Sequence, residues 1–337
     1  MLVIFFIGIA VIVTGALWLT QPSHEIEVRG NAVADASKWG ENASNAGPPY
    51  FWLTNTELLT VEMGSWHLAL YDLKSRRYLD TAALNRIVSA SGFRPWRITV
   101  SPIDRHVLWG AMHRRLNDRF VTVSIHSANP EGRQVVNWPK HTEIPTGWFA
   151  NGRQWYSFGI RNTVVYRLDA PRDKQLIPTD SRNEAKWLPW PNWVGTEIHT
   201  LRHRRTSSDS STIEVLSTGL QENKTTEQTY VHQFPMKIDR LSACYSPDGR
   251  KMAYTVGYLR GTIWPNWLTD LAPRIFPHRD LVEGIWETKI DGSDLHELVY
   301  HKASPTNPYG FYSAAWSPDG KRISLIYKRK LWLLNIE

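Results

Sequence analysis

Leu241-Ser-Ala-Cys-Tyr-Ser-Pro-Asp-Gly-Arg-Lys-Met-Ala-Tyr254 and Tyr312-Ser-Ala-Ala-Trp-Ser-Pro-Asp-Gly-Lys-Arg-Ile-Ser-Leu325 are two copies of one pattern. In each, an alternating strand meets a Ser-Pro-Asp-Gly turn and a second strand returns. Proline presets φ early in the turn and glycine takes the positive φ that other residues avoid, so each copy specifies a hairpin. With these as templates, weaker copies emerge. Arg97-Ile-Thr-Val-Ser-Pro-Ile-Asp-Arg-His-Val-Leu108 keeps the Ser-Pro and Trp148-Phe-Ala-Asn-Gly-Arg-Gln-Trp155 keeps an Asn-Gly. Trp52-Leu-Thr-Asn-Thr-Glu-Leu-Leu-Thr-Val61 keeps only the strand pattern, and Trp193-Val-Gly-Thr-Glu-Ile-His-Thr-Leu201 is the most degraded. Taking Thr54, Ser101, Phe149, Asn192, Ser246 and Ser317 as the first turn residues, the steps are 47, 48, 43, 54 and 71. Five intervals define six units. A period in the forties with about four strands per unit is that of a β-propeller, in which each sheet buries its faces against its neighbours. The long last step requires an insertion in the fifth unit, expected over residues 258–284.

The remaining sequence is punctuated by Gly, Pro, Asn, Asp and Ser and shows no helical periodicity after residue 49, so the expected fold class is all-β. The expected domains are a transmembrane anchor over residues 1–20, a linker over 21–49 and a six-bladed propeller over 50–337. The Ser-Pro-Asp-Gly units resemble the WD40-like PD40 repeats of TolB-type six-bladed β-propellers over roughly residues 49–337. That resemblance implies a bacterial cell-envelope setting and a binding or scaffolding role. It implies no substrate, because the fold hosts enzymes and inert platforms alike. Nothing in the chain resembles the separate N-terminal domain of TolB, so the partners of that protein are not carried over.

From Leu2 to Leu19 the only polar side chain is Thr14, and no charge appears before Glu25. A helix over this run spans roughly the 30 Å hydrocarbon layer. A cleaved signal peptide is the rival reading, but the run has no basic residue before it and exceeds the usual apolar stretch. The expectation is therefore an N-terminal transmembrane helix with the propeller on the extracytoplasmic side. The chain ends on Lys330-Leu-Trp-Leu-Leu-Asn-Ile-Glu337, a third strand, which leaves the last blade without its fourth. His24-Glu-Ile-Glu-Val-Arg29 alternates polar and apolar residues and is expected to supply that outer strand.

Composition narrows the function. Lys plus Arg exceed Asp plus Glu by 39 to 32, a net charge of +7, which permits an anionic partner but does not single out nucleic acid. One cysteine, Cys244, excludes an intramolecular disulfide framework, a Cys-rich zinc site and a CxxC pair. Tryptophan is the outlier at 17 of 337 residues, and the fold must bury or use those indoles.

Two features fall on the face shared by the loops from second to third strands and from one blade to the next. Arg115, Arg161, Arg205, Arg260 and Arg329 each follow a turn by about 12 residues, and His113-Arg114-Arg115 recurs as His203-Arg204-Arg205. Such a ring would offer forks to carboxylate, sulfate or phosphate; the alternative reading, which weighs more, is that hairpin tips need solvated charges. Trp190-Pro-Asn-Trp193 recurs as Trp264-Pro-Asn-Trp267, the second copy within the expected insertion. Exposed, these four indoles suit a peptide, a sugar ring or a membrane interface; folded back, they bury one another.

Other constellations fail. His278-Arg279-Asp280-Leu281 lacks the Asn and glycine-rich loop of a kinase. His296-Glu297 with His301 has the wrong spacing for a zincin and sits in a strand, while His199 and His203 lie about 13 Å apart along one strand. Glu283 and Glu287 are weak paired-acid candidates, and Cys244 reads as a small buried hydrophobe. No metal or cofactor is expected. The sequence supports a membrane-anchored binding or scaffold protein for a protein, peptide or glycan partner. The alternative is a hydrolase or lyase acting on an anionic sugar in the central pocket.

Overall fold

The structure is a computed structural model. It describes residues 24–336 apart from 40–49, 63–64, 66, 91–94, 102–104, 115–120, 134, 139–146, 149–153, 159–161, 171–173, 179–186, 195–196, 206–209, 222–223, 262–270, 273–279 and 303–311. The apolar run at residues 2–19 lies outside the described residues, among which no helix is long and apolar enough to cross a membrane.

The chain enters through β1 (His24–Glu25), a single helical turn α1 (Ile26–Arg29) and β2 (Asn31–Asp35). Six sheets then take shape. Blade 1 comprises β3 (Tyr50–Trp52), β4 (Glu57–Val61), β5 (Leu68–Asp72) and β6 (Arg77–Leu79), followed by helix α2 (Ala82–Ala90). Blade 2 holds β7 (Pro95–Val100), β8 (Val107–Arg114), β9 (Val121–Ala128) and β10 (Val136–Asn137). Blade 3 holds β11 (Gly147–Trp148), β12 (Gln154–Phe158), β13 (Asn162–Arg167) and β14 (Lys174–Pro178). Blade 4 holds β15 (Trp187–Val194), β16 (Glu197–Arg205), β17 (Ser211–Gln221) and β18 (Lys224–Phe234). Blade 5 holds β19 (Ile238–Tyr245), β20 (Lys251–Arg260), β21 (Asp280–Lys289) and β22 (His296–Lys302). Blade 6 holds β23 (Tyr312–Trp316), β24 (Arg322–Tyr327) and β25 (Lys330–Asn335).

Consecutive strands of each blade pair antiparallel, and the first strands neighbour one another in series: β3 with β7, β7 with β11, β11 with β15, β15 with β19, and β19 with β23. Blade 6 meets blade 1 through side chains. Tyr50 Oη and Trp52 Nε1 both donate to Ser324 Oγ, at 2.9 and 2.8 Å, and Arg322 Nη2 donates to the Asn55 carbonyl at 2.6 Å. The six sheets thus wind round an axis with the first strands innermost. Apolar clusters fill the spaces between blades 1 and 2, 2 and 3, 4 and 5, 5 and 6, and 6 and 1.

The repeated turns show why Ser and Asp accompany Pro and Gly. Ser246 N donates to Lys251 O, Lys251 N returns to Ser246 Oγ, and that hydroxyl donates to Asp248 Oδ1 at 2.6 Å. Ser317, Asp319 and Arg322 repeat every bond, with Gly249 and Gly320 at φ 70° and 68°. The side chains satisfy backbone groups that the sharp reversal would otherwise leave unpaired.

Four expectations are corrected. The closing strand is β2, not His24–Arg29: Asn31 pairs with Leu333 and Asp35 with Lys330, antiparallel on β25. His24–Glu25 instead runs parallel to β22, adding a fifth strand to blade 5. Between them Ile26, fully buried, drops into the apolar cluster shared by blades 5 and 6, and burial there outweighs its strand-like pattern. Gly30 follows because any Cβ would approach the Trp332 ring to 3.0 Å. A helix does occur, α2, with Leu84 and Val88 buried between blades 1 and 2 and Asp80 Oδ1 accepting from Ala82 N at its start. Asn192 lies within β15, opposite His199, rather than in a turn. The insertion is shorter than expected, since Tyr258–Arg260 and Asp280–Gly284 belong to β20 and β21, leaving residues 261–279.

Candidate functional site

The alternation of strand directions divides the disc into two faces. The Ser-Pro-Asp-Gly turns and the third-to-fourth connections share one, the turn face. The other, the loop face, carries the blade-to-blade connections, the second-to-third hairpins and the 261–279 insertion, which leaves blade 5 at Arg260 and re-enters at Asp280.

Both sides of blade 5 hold buried charge at the root of this insertion. Towards blade 6, register aligns one residue from each strand: Arg240 opposite Gly257, Gly257 opposite Glu283, and Glu283 opposite His301. Gly257 has no side chain to fill the row, and a Cβ there would lie 3.4 Å from that of Arg240. Arg240 therefore reaches past β20 to bring Nη1 within 3.8 Å of Glu283 Oε1. Glu283 Oε2 faces His301 Nε2 at 3.4 Å, and His301 Nδ1 lies 2.9 Å from the Lys302 carbonyl. A carbonyl can only accept, so Nδ1 carries a hydrogen. The imidazole packs on Tyr327 of blade 6, with ring centroids 4.7 Å apart.

On the side towards blade 4, Glu297 is the centre. Tyr258 Oη donates to its Oε1, and Arg260 Nη1 donates to its Oε2 at 2.7 Å. The guanidinium lies 3.9 Å above the Tyr300 ring. Gly284 makes room, because a Cβ there would collide with Glu297 Oε1. Burial, then the adjacent Glu297 charge, push the Tyr258 phenol well up, so it stays a donor. Buried ion pairs cost desolvation and pay off in geometry, here the aim of the two strands from which the insertion springs.

Of the residues singled out in the sequence, Trp264, Trp267, Arg115 and Arg161 lie outside the described residues. Trp190 and Trp193 lie within β15, and the expectation that they sit on the loop face is corrected: Trp193, opposite Ile198 beside the β15–β16 turn, is at the turn-face end of the strand. Arg205 ends β16 opposite Ser211, and Arg260 ends β20 with its guanidinium turned onto Glu297. Arg329 is exposed at the tip between β24 and β25, at φ 58°, and its carbonyl accepts from Ala36 N. Thus Arg205, Arg260 and Arg329 share the loop face. Glu283 and Glu287 do not pair with each other: Glu287 meets Lys251 Nζ at 2.5 Å near the turn face. Sequence reasoning missed Arg240, Tyr258 and Tyr300 and discarded Glu297 and His301. The only signal was the pair of glycines, Gly257 and Gly284, inside strands otherwise full of large residues. Among the described residues no cluster of His, Cys, Asp or Glu could hold a metal ion.

No family model matches the chain, and no curated protein matches it in sequence. Solved structures do resemble it. A TolB candidate from Agrobacterium tumefaciens is 16% identical, with a TM-score of 0.49 over 86% of this chain and 90% of that one. The β-propeller domain of the Trilobed protease from Pyrococcus furiosus is 11% identical, with a TM-score of 0.40 over 83% of this chain and 77% of that one. A gluconolactonase from Xanthomonas campestris is 12% identical, with a TM-score of 0.28 over 83% and 69%. At these identities the likeness concerns fold alone. Its own six sheets, wound in series round one axis, make the chain a six-bladed β-propeller.

Proposed function

We propose that this propeller is a binding scaffold for a protein or peptide partner, held at the cell envelope by the apolar segment 2–19, and that the loop face of blade 5 receives the partner. The observation that carries this reading is the 261–279 insertion, rooted between two ionic clusters built on the buried carboxylates of Glu283 and Glu297. Loops of this length on a rigid scaffold are characteristically binding elements, and rigid roots lower the ordering cost of binding. Leu259 and Leu281, directly opposite each other at that root, are 45% and 47% exposed, an apolar pair available to a partner. Trp264 and Trp267 supply aromatic anchors in this reading, and Arg115, Arg161, Arg205 and Arg329 the charge for an anionic partner.

The test is affinity capture with the immobilised full chain. Trp264→Ala together with Trp267→Ala should weaken recovery of the captured partner at least tenfold. Unchanged recovery overturns the assignment of the insertion. Triple substitution of Arg115, Arg161 and Arg205 by Ala should reduce retention on anionic beads, and full retention removes the arginine ring from the reading.

A further inference from the structure

β1 fixes where the chain before it must lie. It runs parallel to β22, His24 beside Val299 and Glu25 beside Tyr300. β22 rises from the turn face at His296 to the loop face at Lys302. The chain preceding His24 therefore points toward the turn face. Only Gln21, Pro22 and Ser23 separate it from the apolar run that closes at Leu19 and Thr20. Three residues reach about 10 Å at most. That is about the rise from His296 to Val299, so the tether ends level with the foot of blade 5.

We propose that the turn face is docked on an anionic lipid surface, which leaves the loop face and its insertion directed into the aqueous phase. This deepens the proposed function and rests on the reading of residues 2–19 as an anchor. With the disc inverted, the tether would leave His24 away from the bilayer and would have to double back further than three residues allow. The turn face carries charge of both signs, with Glu131 and Asp169 paired to Arg105 and Arg167 and Asp294 beside His296. Asp72, Asp248, Asp291 and Asp319 are turned back onto backbone amides of their own turns. Lys74, Arg76 and Arg77 of blade 1, Arg250 and Lys289 of blade 5 and Lys321 of blade 6 are exposed there. Cations presented in this way attract anionic headgroups within a Debye length.

The full chain, reconstituted in phosphatidylethanolamine–phosphatidylglycerol vesicles that carry a headgroup-labelled acceptor lipid, tests the orientation by energy transfer. Donor dyes are placed at Ser293→Cys on the turn face and at Ser37→Cys on the loop face. A second pair, Ser75→Cys and Lys38→Cys, repeats the comparison in other turns. Burial pushes the native Cys244 thiol up to about 12, so it stays protonated at pH 7, and the unsubstituted chain serves as the blank. Transfer should be at least twofold stronger from Ser293→Cys and Ser75→Cys than from their loop-face counterparts. Equal transfer, or the reverse order, overturns the orientation while co-flotation with the vesicles leaves the anchor intact. Protein that fails to float with the vesicles overturns the anchor and the orientation with it.

Discussion

Blades 2 and 3 and blades 5 and 6 share one architecture but hold together by different means. Between blades 2 and 3 the bond is aromatic: Trp155 stacks on Tyr166 at 4.2 Å and meets Trp138 edge-on at 5.2 Å, with Trp148 buried beside them. Two of their strands are short, β10 and β11 having two residues each. Blades 5 and 6 instead have the full Ser-Pro-Asp-Gly bond set, the His301 ring of the Glu283–His301 row packed on Tyr327 across their gap, and the β1–α1–β2 clasp over both outer strands. The contrast explains the tryptophan content. Where turn chemistry is degraded, large indoles supply the burial and ring contacts that keep neighbouring sheets in place.

The strongest way to break this comparison is Trp155→Ala. Removing a fully buried stacked indole should cost about 3–5 kcal/mol in denaturant unfolding, and a loss below about 1 kcal/mol would show that the aromatic seam is ornamental. Next comes Ile26→Ala, which empties the wedge beneath the clasp. It should cost about 3 kcal/mol and increase exchange of the β1 and β2 amides, whereas loss of stability without local exchange would assign the effect elsewhere. The smallest effect is a pH dependence confined to the hydrogen-bonded side. His232 is fully buried, accepts at Nδ1 from Tyr254 Oη at 2.7 Å and donates from Nε2 to Ile290 O at 2.9 Å, tying blade 4 to blade 5. Burial holds its pKa below 6.5, against the opposing pull of Ile290 O and Asp291. The unfolded chain thus takes up the proton first. Stability should fall as pH drops below about 6.5 and level off below the native pKa, and His232→Gln should flatten that slope. An unchanged slope removes His232 from the account.

The fold was legible where a turn is specified locally, as at Ser246 and Ser317, whose side chains bond within five residues. It was obscured where tertiary context decides. Trp190-Pro-Asn-Trp193 looks like a turn, yet Pro191 is accommodated in β15 where register shifts between Leu188 and Asn192. The row from Arg240 to His301 could not be read, because its four residues are scattered over more than sixty positions. Register aligns them only through irregularities at Ile238/Arg240 and Ile285/Trp286, which leave no mark in the sequence.

The clasp also sets an order of assembly. Asn31–Asp35 are made about three hundred residues before the strand they pair with, Lys330–Asn335. While the intervening blades are made the early segment waits without its sheet, so completion of the ring depends on a contact of very long sequence separation. A chain halted before Lys330 would have a circle with nothing to shut against.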